Sequence, residues 1–402
     1  MNTILPLKGF RDFLPAEAAK RKWMRDRLSN ILQSWGFSPI ETPTLEPLEI
    51  FTGAIGEDEK LFFKFRDQGD RDVALRYDQT VPTCRLIAQY QNSLTFPFKR
   101  YQIQPSFRAE KPQKGRYREF IQVDADIFGV KTPDADAETI ALSLDIYRQL
   151  GFSRALVRIN SRALFKDMPY DAIVAIDKIK KIGDEGVLKD MESKGIHLEK
   201  AKEYLSYVKT MKPNEEISFI LNYLKNYGFS EDWYEFDPTI ARSFSYSMGP
   251  IWEVEIPTAD YHLSVLGGER YDGLLEKLAG RDIGGTGFGL GFDRSLEAAE
   301  LMGILPSIPV TGQVLVTVFS KDMQKNTLSI AKSLRDAGIA TDIYPASDRL
   351  EKQLKYADKV GIPYVVIQGP DEAGKGVVNL KNMKTKEQKT LTVPELVGVF
   401  SE

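Results

Sequence analysis

Cysteine is almost absent: Cys84 stands alone in 402 residues, so no disulfide can form within the chain. Histidine is nearly as scarce, and neither His197 nor His262 has a plausible ligand cluster beside it in sequence. That argues against a zinc site and against a Ser-His-Asp or Cys-His mechanism. No run approaches the roughly 20 apolar residues of a membrane span. The opening MNTILPLKGF lacks a secretory pattern, so the cytoplasm is the expected compartment. An excess of one charge is missing too. A net charge of −3 excludes a globally basic nucleic-acid binder and leaves room for a local basic surface. An enzyme of this composition works by electrostatics and positioning.

What is present is ordinary for a globular protein: 42% hydrophobic and 28% charged residues, in a chain long enough for two or three domains with their own cores. Trp23, Met24, Leu28, Ile31, Leu32 and Trp35 form a stripe behind Pro15, which predicts a helix stopped by Gly36. FSPIETPTLEPLEIF is extended, with Pro43 at an edge or interface. DVALRYDQT, Asp72 to Thr80, reads as a strand leading into a helix near Val81 to Tyr90. Pro133 and Gly151 bracket a helix over Asp134 to Leu150.

From Ser161 to Tyr227 the runs are charged, helical and weakly apolar, which suggests an inserted module. Strand signals resume near Ser243, continue from Trp252 to Ile256 and return at Tyr261 to Leu266, where Gly267 and Gly268 follow. The glycine-rich strand IGGTGFGLGF then enters a helix over Asp293 to Leu301. Its glycines do not keep the Gly-x-Gly-x-x-Gly spacing, and no βαβ unit with a downstream acid surrounds them, so a dinucleotide-binding oxidoreductase fails. Leu305 to Gly312, with Pro306 and Pro309, is a linker. Beyond it VLVTVF, a helix to Ala337, IATDIY, a helix near Leu350 to Val360 and PYVVIQG make a regular α/β pattern. Residues 313–402 hold 13 Lys and Arg against 11 Asp and Glu, an excess too slight to identify an RNA partner.

The run from Gly115 to Phe128, GRYREFIQVDADIF, carries the most information. At period two, Ile121, Val123, Ala125 and Ile127 share one face, while Arg118, Phe120, Gln122, Asp124 and Asp126 share the other. The preceding stretch repeats the pattern: Tyr101, Ile103 and Phe107 oppose Arg100, Gln102, Gln104, Ser106 and Arg108. The basic loop AEKPQKG separates them, which gives an antiparallel hairpin with one apolar and one hydrogen-bonding face. Such a face is either solvated or a binding surface. Amides and acids between arginines, with an aromatic ring among them, favour a site. Arg108 and Arg116 suit an anion, Phe120 a flat ring, and Gln122 and Asp126 a small polar molecule.

These segments together resemble a class II aminoacyl-tRNA synthetase, and within that class the histidyl-tRNA synthetase family. GFRDFLPAEA, ETPTLEPLEIF around Pro43, LRYDQTVP at Leu75 to Pro82, FRAEKPQKGRYREFIQVDADIFG at Phe107 to Gly129, GGERYDGL at Gly267 to Leu274 and GLGFDRSLE with Arg294 match in order. The resemblance covers essentially the whole chain. It implies an α/β protein with an α+β catalytic domain on a largely antiparallel sheet, in two parts (1–160 and 233–305). A helical insertion (161–232) separates the parts, and an α/β anticodon-binding domain (313–402) follows. It also implies a homodimer with an interface near Pro43, and ATP, Mg²⁺ bound with it, histidine and tRNA as ligands. The implied reaction activates histidine to its adenylate and transfers the acyl group to the tRNA 3′ end.

By position in the motifs, Arg108 would hold the α-phosphate and substrate carboxylate, Glu110 and Arg116 would contact ATP, and Phe120 would stack on adenine. Arg294 would cover the other adenine face and the γ-phosphate. Asp78 and Thr80 would bind the α-amino group with help from Gln122, Asp126 would reach the imidazole, and Arg242 would act near the α-phosphate. The competing account of each arginine is a surface ion pair worth ~0–1 kcal/mol, and that of Asp78 is a turn or cap.

One departure stands out. After Arg242 the family usually reads Gly-Leu-Asp-Tyr-Tyr, where this chain has Ser243, Phe244, Ser245, Tyr246 and Ser247. Tyr246 keeps the first tyrosine, while Ser247 replaces the second, whose hydroxyl helps recognise the imidazole. The alternative to a working ligase is a catalytically silent relative, like the histidine-binding regulatory subunit of ATP phosphoribosyltransferase. Retention of Arg108, Arg242 and Arg294, with the tail domain, counts against it.

Overall fold

The computed structural model describes residues 4–52, 61–112, 116–165, 167–242, 247–257, 262–308 and 311–400. The chain forms two compact units, residues 1–12 with 21–305 and residues 13–20 with 306–402.

The first unit is built on an eight-stranded sheet. Its strands run in the order Ser38–Pro39, Phe98–Phe107, Glu119–Phe128, Gly285–Gly291, His262–Arg270, Pro250–Pro257, Leu156–Ser161, Tyr234–Phe236. The six central strands pair antiparallel throughout, and only the two short outermost strands pair parallel. The expected hairpin is there in full register, with Arg100 opposite Asp126, Gln102 opposite Asp124 and Gln104 opposite Gln122. Its apolar face, Tyr101, Ile121, Val123, Ala125 and Ile127, lies in the main core.

The helix Pro133–Leu150 fills that core. Proline occupies its first turn with Asp134 and Asp136 beside the positive end of the helix dipole, and Gly151 ends it at φ 100°. Ala137, Ile140, Ala141 and Leu144 are fully buried between the sheet and neighbouring helices. From the helix Pro15–Ser34, Met24, Leu28, Ile31 and Leu32 join the same cluster. Each large apolar side chain buried this way contributes about 1.5–3 kcal/mol, against ~0–1 kcal/mol for an exposed pair such as Lys22–Asp26. The apolar faces hold these helices in place.

Three local differences from the sequence expectation have physical causes. The strand over DVALRYDQT stops at Leu75, and Thr80 opens the helix Thr80–Tyr90. Arg76 keeps one backbone bond to the neighbouring segment, its N–H donating to the Thr44 carbonyl at 3.0 Å, and its fully buried side chain donates to the carbonyls of Thr42 and Pro105 at 2.7 Å each. Gly267 and Gly268 do not follow a strand but lie inside His262–Arg270. A Cβ at Gly268 would overlap the buried Trp252 ring, so the glycine marks a close approach and not a turn. Leu48–Ile50, taken as extended, is a 3₁₀ turn.

The helices Tyr170–Ile176, Ile179–Ser193 and Leu198–Thr210 enclose their own cluster of Phe165, Ile173, Val187, Met191 and Val208. The helix Glu215–Tyr227 instead sends Ile217, Ile220 and Leu224 into the main core. A small sheet of Leu45–Pro47, Asp72–Leu75 and Lys64–Arg66 leaves Leu45 and Phe65 exposed.

The second unit has a five-stranded sheet in the order Thr341–Ile343, Val314–Val316, Tyr364–Ile367, Val377–Asn382, Gln388–Thr392. The first three strands are parallel and the last two antiparallel. That closing hairpin escapes a sequence reading because Gln388–Thr392 is an exposed edge with only Leu391 apolar. Among the described residues, no helix is long and apolar enough to cross a membrane.

Candidate active site

On the hydrogen-bonding face of the hairpin lies a cleft of about 540 Å³, within the range of small-molecule sites. Asp78, Thr80, Arg108, Glu110, Arg116, Phe120, Gln122, Asp126, Arg242 and Arg294 all line it. Residues separated by more than two hundred positions are thus brought to one surface.

Alternation on the neighbouring strand makes the cleft possible. Gly287 and Gly289 stand where side chains would otherwise fill it. A Cβ at Gly287 would overlap the Asp126 carboxylate, and one at Gly289 would come within 2.8 Å of Gln122 Nε2. Gly267, one strand further, gives the same freedom to the Arg242 guanidinium. Gly287 and Gly289 therefore make room for the protein's own Asp126 and Gln122 side chains.

One pole of the cleft is cationic. Arg294 donates to the Ser264 carbonyl at 3.0 Å, and burial, then the charges of Arg116 and Arg108, push its pKa down. Guanidinium groups held close enough to repel one another are relieved by an anion. Arg108 donates to the Tyr77 carbonyl at 3.3 Å, and its guanidinium carbon lies 5.0 Å from the Phe120 ring centre. Glu110 holds the loop through its carbonyl, which accepts from Arg118 Nε at 3.0 Å. Asp293, which the sequence did not single out, fixes Arg294's helix. It accepts from Arg11 at 2.7 Å, from Arg21 at 2.5 Å and from the Ile121 N–H at 3.3 Å.

The other pole is acidic. Asp78 is buried, accepts from the Val81 N–H in the helix's first turn at 3.4 Å, and also lines the cleft. Burial raises its pKa, while hydrogen bonding from Tyr77 and the charge of Arg108 oppose the rise. Thr80, in the first turn of that helix, is half-buried. Asp126 is held by its cross-strand neighbour Arg100 at 2.5 Å and accepts from the Tyr271 hydroxyl, a partner that no strand pattern reveals. Burial drives its pKa up, with Arg100 opposing. Behind it Asp124 is pushed up to about 8 by burial, against the charge of Arg100 and with that of Asp126.

Arg242 has the left-handed φ of 45°, uncommon for a non-glycine residue. Its N–H donates to Asp177 Oδ1 at 2.7 Å. Asn160 grips the carbonyls of Pro238 and Ile240, and Arg162 that of Ala241, so the backbone leading to Arg242 is clamped. Its guanidinium lies 3.6 Å from Glu269 and 3.9 Å from Glu253, both of which line the cleft. Ser247 does not reach the cleft wall. It is buried, and its hydroxyl donates to Glu269, which does line the cleft. Tyr246 and Ser245 lie outside the described residues. Among the described residues no three His, Cys, Asp or Glu side chains form a cluster that could hold a metal ion.

Comparison with known proteins shows what the chain is similar to. The family model described as histidyl-tRNA synthetase matches residues 9–194, and that of an anticodon binding domain matches residues 313–402. A histidine–tRNA ligase of Christiangramia forsetii is 35% identical, with 98% of each chain covered. The crystal structure of a Nostoc histidyl-tRNA synthetase superposes with a TM-score of 0.82 at 27% identity over 99% of both chains. A Bacillus halodurans structure, described as an ATP phosphoribosyltransferase regulatory subunit/histidyl-tRNA synthetase, has a TM-score of 0.71 at 24% identity. It covers 88% of this chain and 96% of its own, a likeness of fold alone.

Proposed function

The chain belongs to the histidyl-tRNA synthetase family, and we propose on that basis that its cleft activates histidine with ATP and passes the histidyl group to the 3′ end of tRNA. The observation that carries this reading is a single cleft with mutually repelling arginines at one pole and buried carboxylates at the other. A triphosphate answers the first and an ammonium with an imidazole the second.

In this reading Arg108 holds the histidine carboxylate against the α-phosphate, so that a carboxylate oxygen attacks phosphorus and pyrophosphate leaves. Arg242 meets the negative charge that develops on the α-phosphate oxygens. Arg294 and Arg116 neutralise the outer phosphates, Glu110 contacts the nucleotide, and the adenine lies between Phe120 and Arg294. Asp78, Thr80 and Gln122 take the α-ammonium, and Asp126 stands at the imidazole end. Mg²⁺ bound with the ATP would supply further neutralisation of the phosphate charge beside Arg116 and Arg294.

The tail domain reads the anticodon, two copies pair through the region of Pro43, and the enzyme works in the cytoplasm. Exposed Leu45 and Phe65 on the small sheet support the pairing. No observation favours the silent regulatory relative over the ligase, and the match of an anticodon-binding domain counts against it. ATP–pyrophosphate exchange with each of the twenty amino acids tests the assignment. Histidine alone drives exchange if it is right; no exchange, or exchange with another amino acid, overturns it.

A further inference from the structure

By the family resemblance, Ser247 stands where a tyrosine directed to the imidazole would be expected, and its hydroxyl is turned away to Glu269. Glu269 is itself buried on the cleft wall. Strand register puts Asp126, Gly287 and Glu269 in one row across three neighbouring strands. With strands ~4.8 Å apart, the outer two backbones are about 9–10 Å from each other. Gly287 has no Cβ, and the Asp126 carboxylate leans into the space one would take, towards the strand that carries Glu269.

The two carboxylates differ in what they have left to offer. Asp126 gives Oδ1 to the Tyr271 hydroxyl, and its Oδ2 is buried in an ion pair against the Arg100 guanidinium at 2.5 Å, turned away from solvent. Glu269 gives Oε2 to Ser247, while Oε1 stands 3.6 Å from Arg242, beyond hydrogen-bond distance. A carboxylate oxygen that faces a cleft suits a ring N–H, and a serine that donates to the other oxygen fixes its direction.

We propose that Glu269, oriented by Ser247, accepts the imidazole N–H of bound histidine and so replaces the missing tyrosine phenol as the specificity determinant of this pocket. The inference rests on the reading of the cleft as a histidine-activating site. Two other roles are open to the same carboxylate: it could bind the α-ammonium with Asp78, whose pKa its charge helps to raise, or it could merely hold Arg242. The ligand can tell these apart.

The experiment is ATP–pyrophosphate exchange by the full-length protein and by Glu269→Gln and Ser247→Ala, with imidazolepropionate and histidinol as competitive probes. Imidazolepropionate keeps the ring and lacks the amine; histidinol keeps both and lacks the carboxylate. Loss of a hydrogen bond to a charged acceptor corresponds to roughly a 10-fold or greater loss of affinity. Glu269→Gln is expected to raise the KM for histidine and the inhibition constants of both probes by that factor, with the KM for ATP unchanged. Ser247→Ala is expected to shift the same constants by less. A loss confined to histidine and histidinol would make Glu269 an ammonium ligand and overturn the proposal. A fall in kcat with unchanged histidine and probe affinities would reduce it to a support for Arg242, also overturning it. Wild-type exchange that histidine does not drive would instead refute the parent reading, so the two failures are distinguishable.

Discussion

Arg242 shows how much a single residue depends on contacts that no motif records. Its type and place follow from the sequence, but its left-handed backbone is held by Asp177, 65 positions earlier. A group that acts on developing charge affects the rate more than ground-state binding. Arg242→Ala is therefore expected to slow adenylate formation by about 10²–10³-fold, with the KM for ATP nearly unchanged; equal losses in both would sink this role. Asp124 carries a second consequence. Its pKa rises from an ordinary 3.8 to about 8, with burial as the largest cause. The folded protein then binds a proton more tightly than the unfolded chain. The stabilisation is full below about pH 4 and is lost as pH rises through 8. Chemical denaturation at several pH values should show stability falling across that window, and Asp124→Asn should flatten the fall.

At the scale of elements, the hairpin was legible because its alternation is strict and its two strands are long. Its partner strand was legible as glycine-rich, though the purpose of the glycines was not. Gly287 spares a clash with both the Asp126 side chain and the Ala125 carbonyl, and the latter cannot swing aside. Gly287→Ala is expected to cost about 1–3 kcal/mol, a drop of several degrees in Tm, and to weaken histidine binding. Gly374→Ala is the control, since a Cβ there meets nothing within 4 Å. Equal melting of the two variants would remove Gly287 from the argument. The strand Asp72–Leu75 is shorter than the sequence pattern predicts because Arg76 and Asp78, which extend that pattern, are buried for their side-chain bonds and Thr80 opens a helix. Periodicity registers apolar burial well and cannot distinguish a buried arginine from an exposed one.

For the whole molecule, the cleft lies in the first unit, while the match to an anticodon-binding domain lies in the second. A chain ended at Ile308 should retain histidine-dependent pyrophosphate exchange and lose most tRNA charging. Charging at the full-length rate would mean that residues 313–402 do not read the anticodon.

The sequence by itself determined the family, the order of the motifs, the two-faced hairpin and the residue types of the cleft. These are carried by local order, by period-two alternation and by short runs of fixed spacing. Only the tertiary structure decided which groups face one another: Glu269 before Ser247, Asp293 between Arg11 and Arg21, Arg100 and Tyr271 on Asp126. Most of those pairs are separated by more than a hundred residues. Burial sets their strength by stripping away water, and no local pattern in the chain encodes what will be buried beside what.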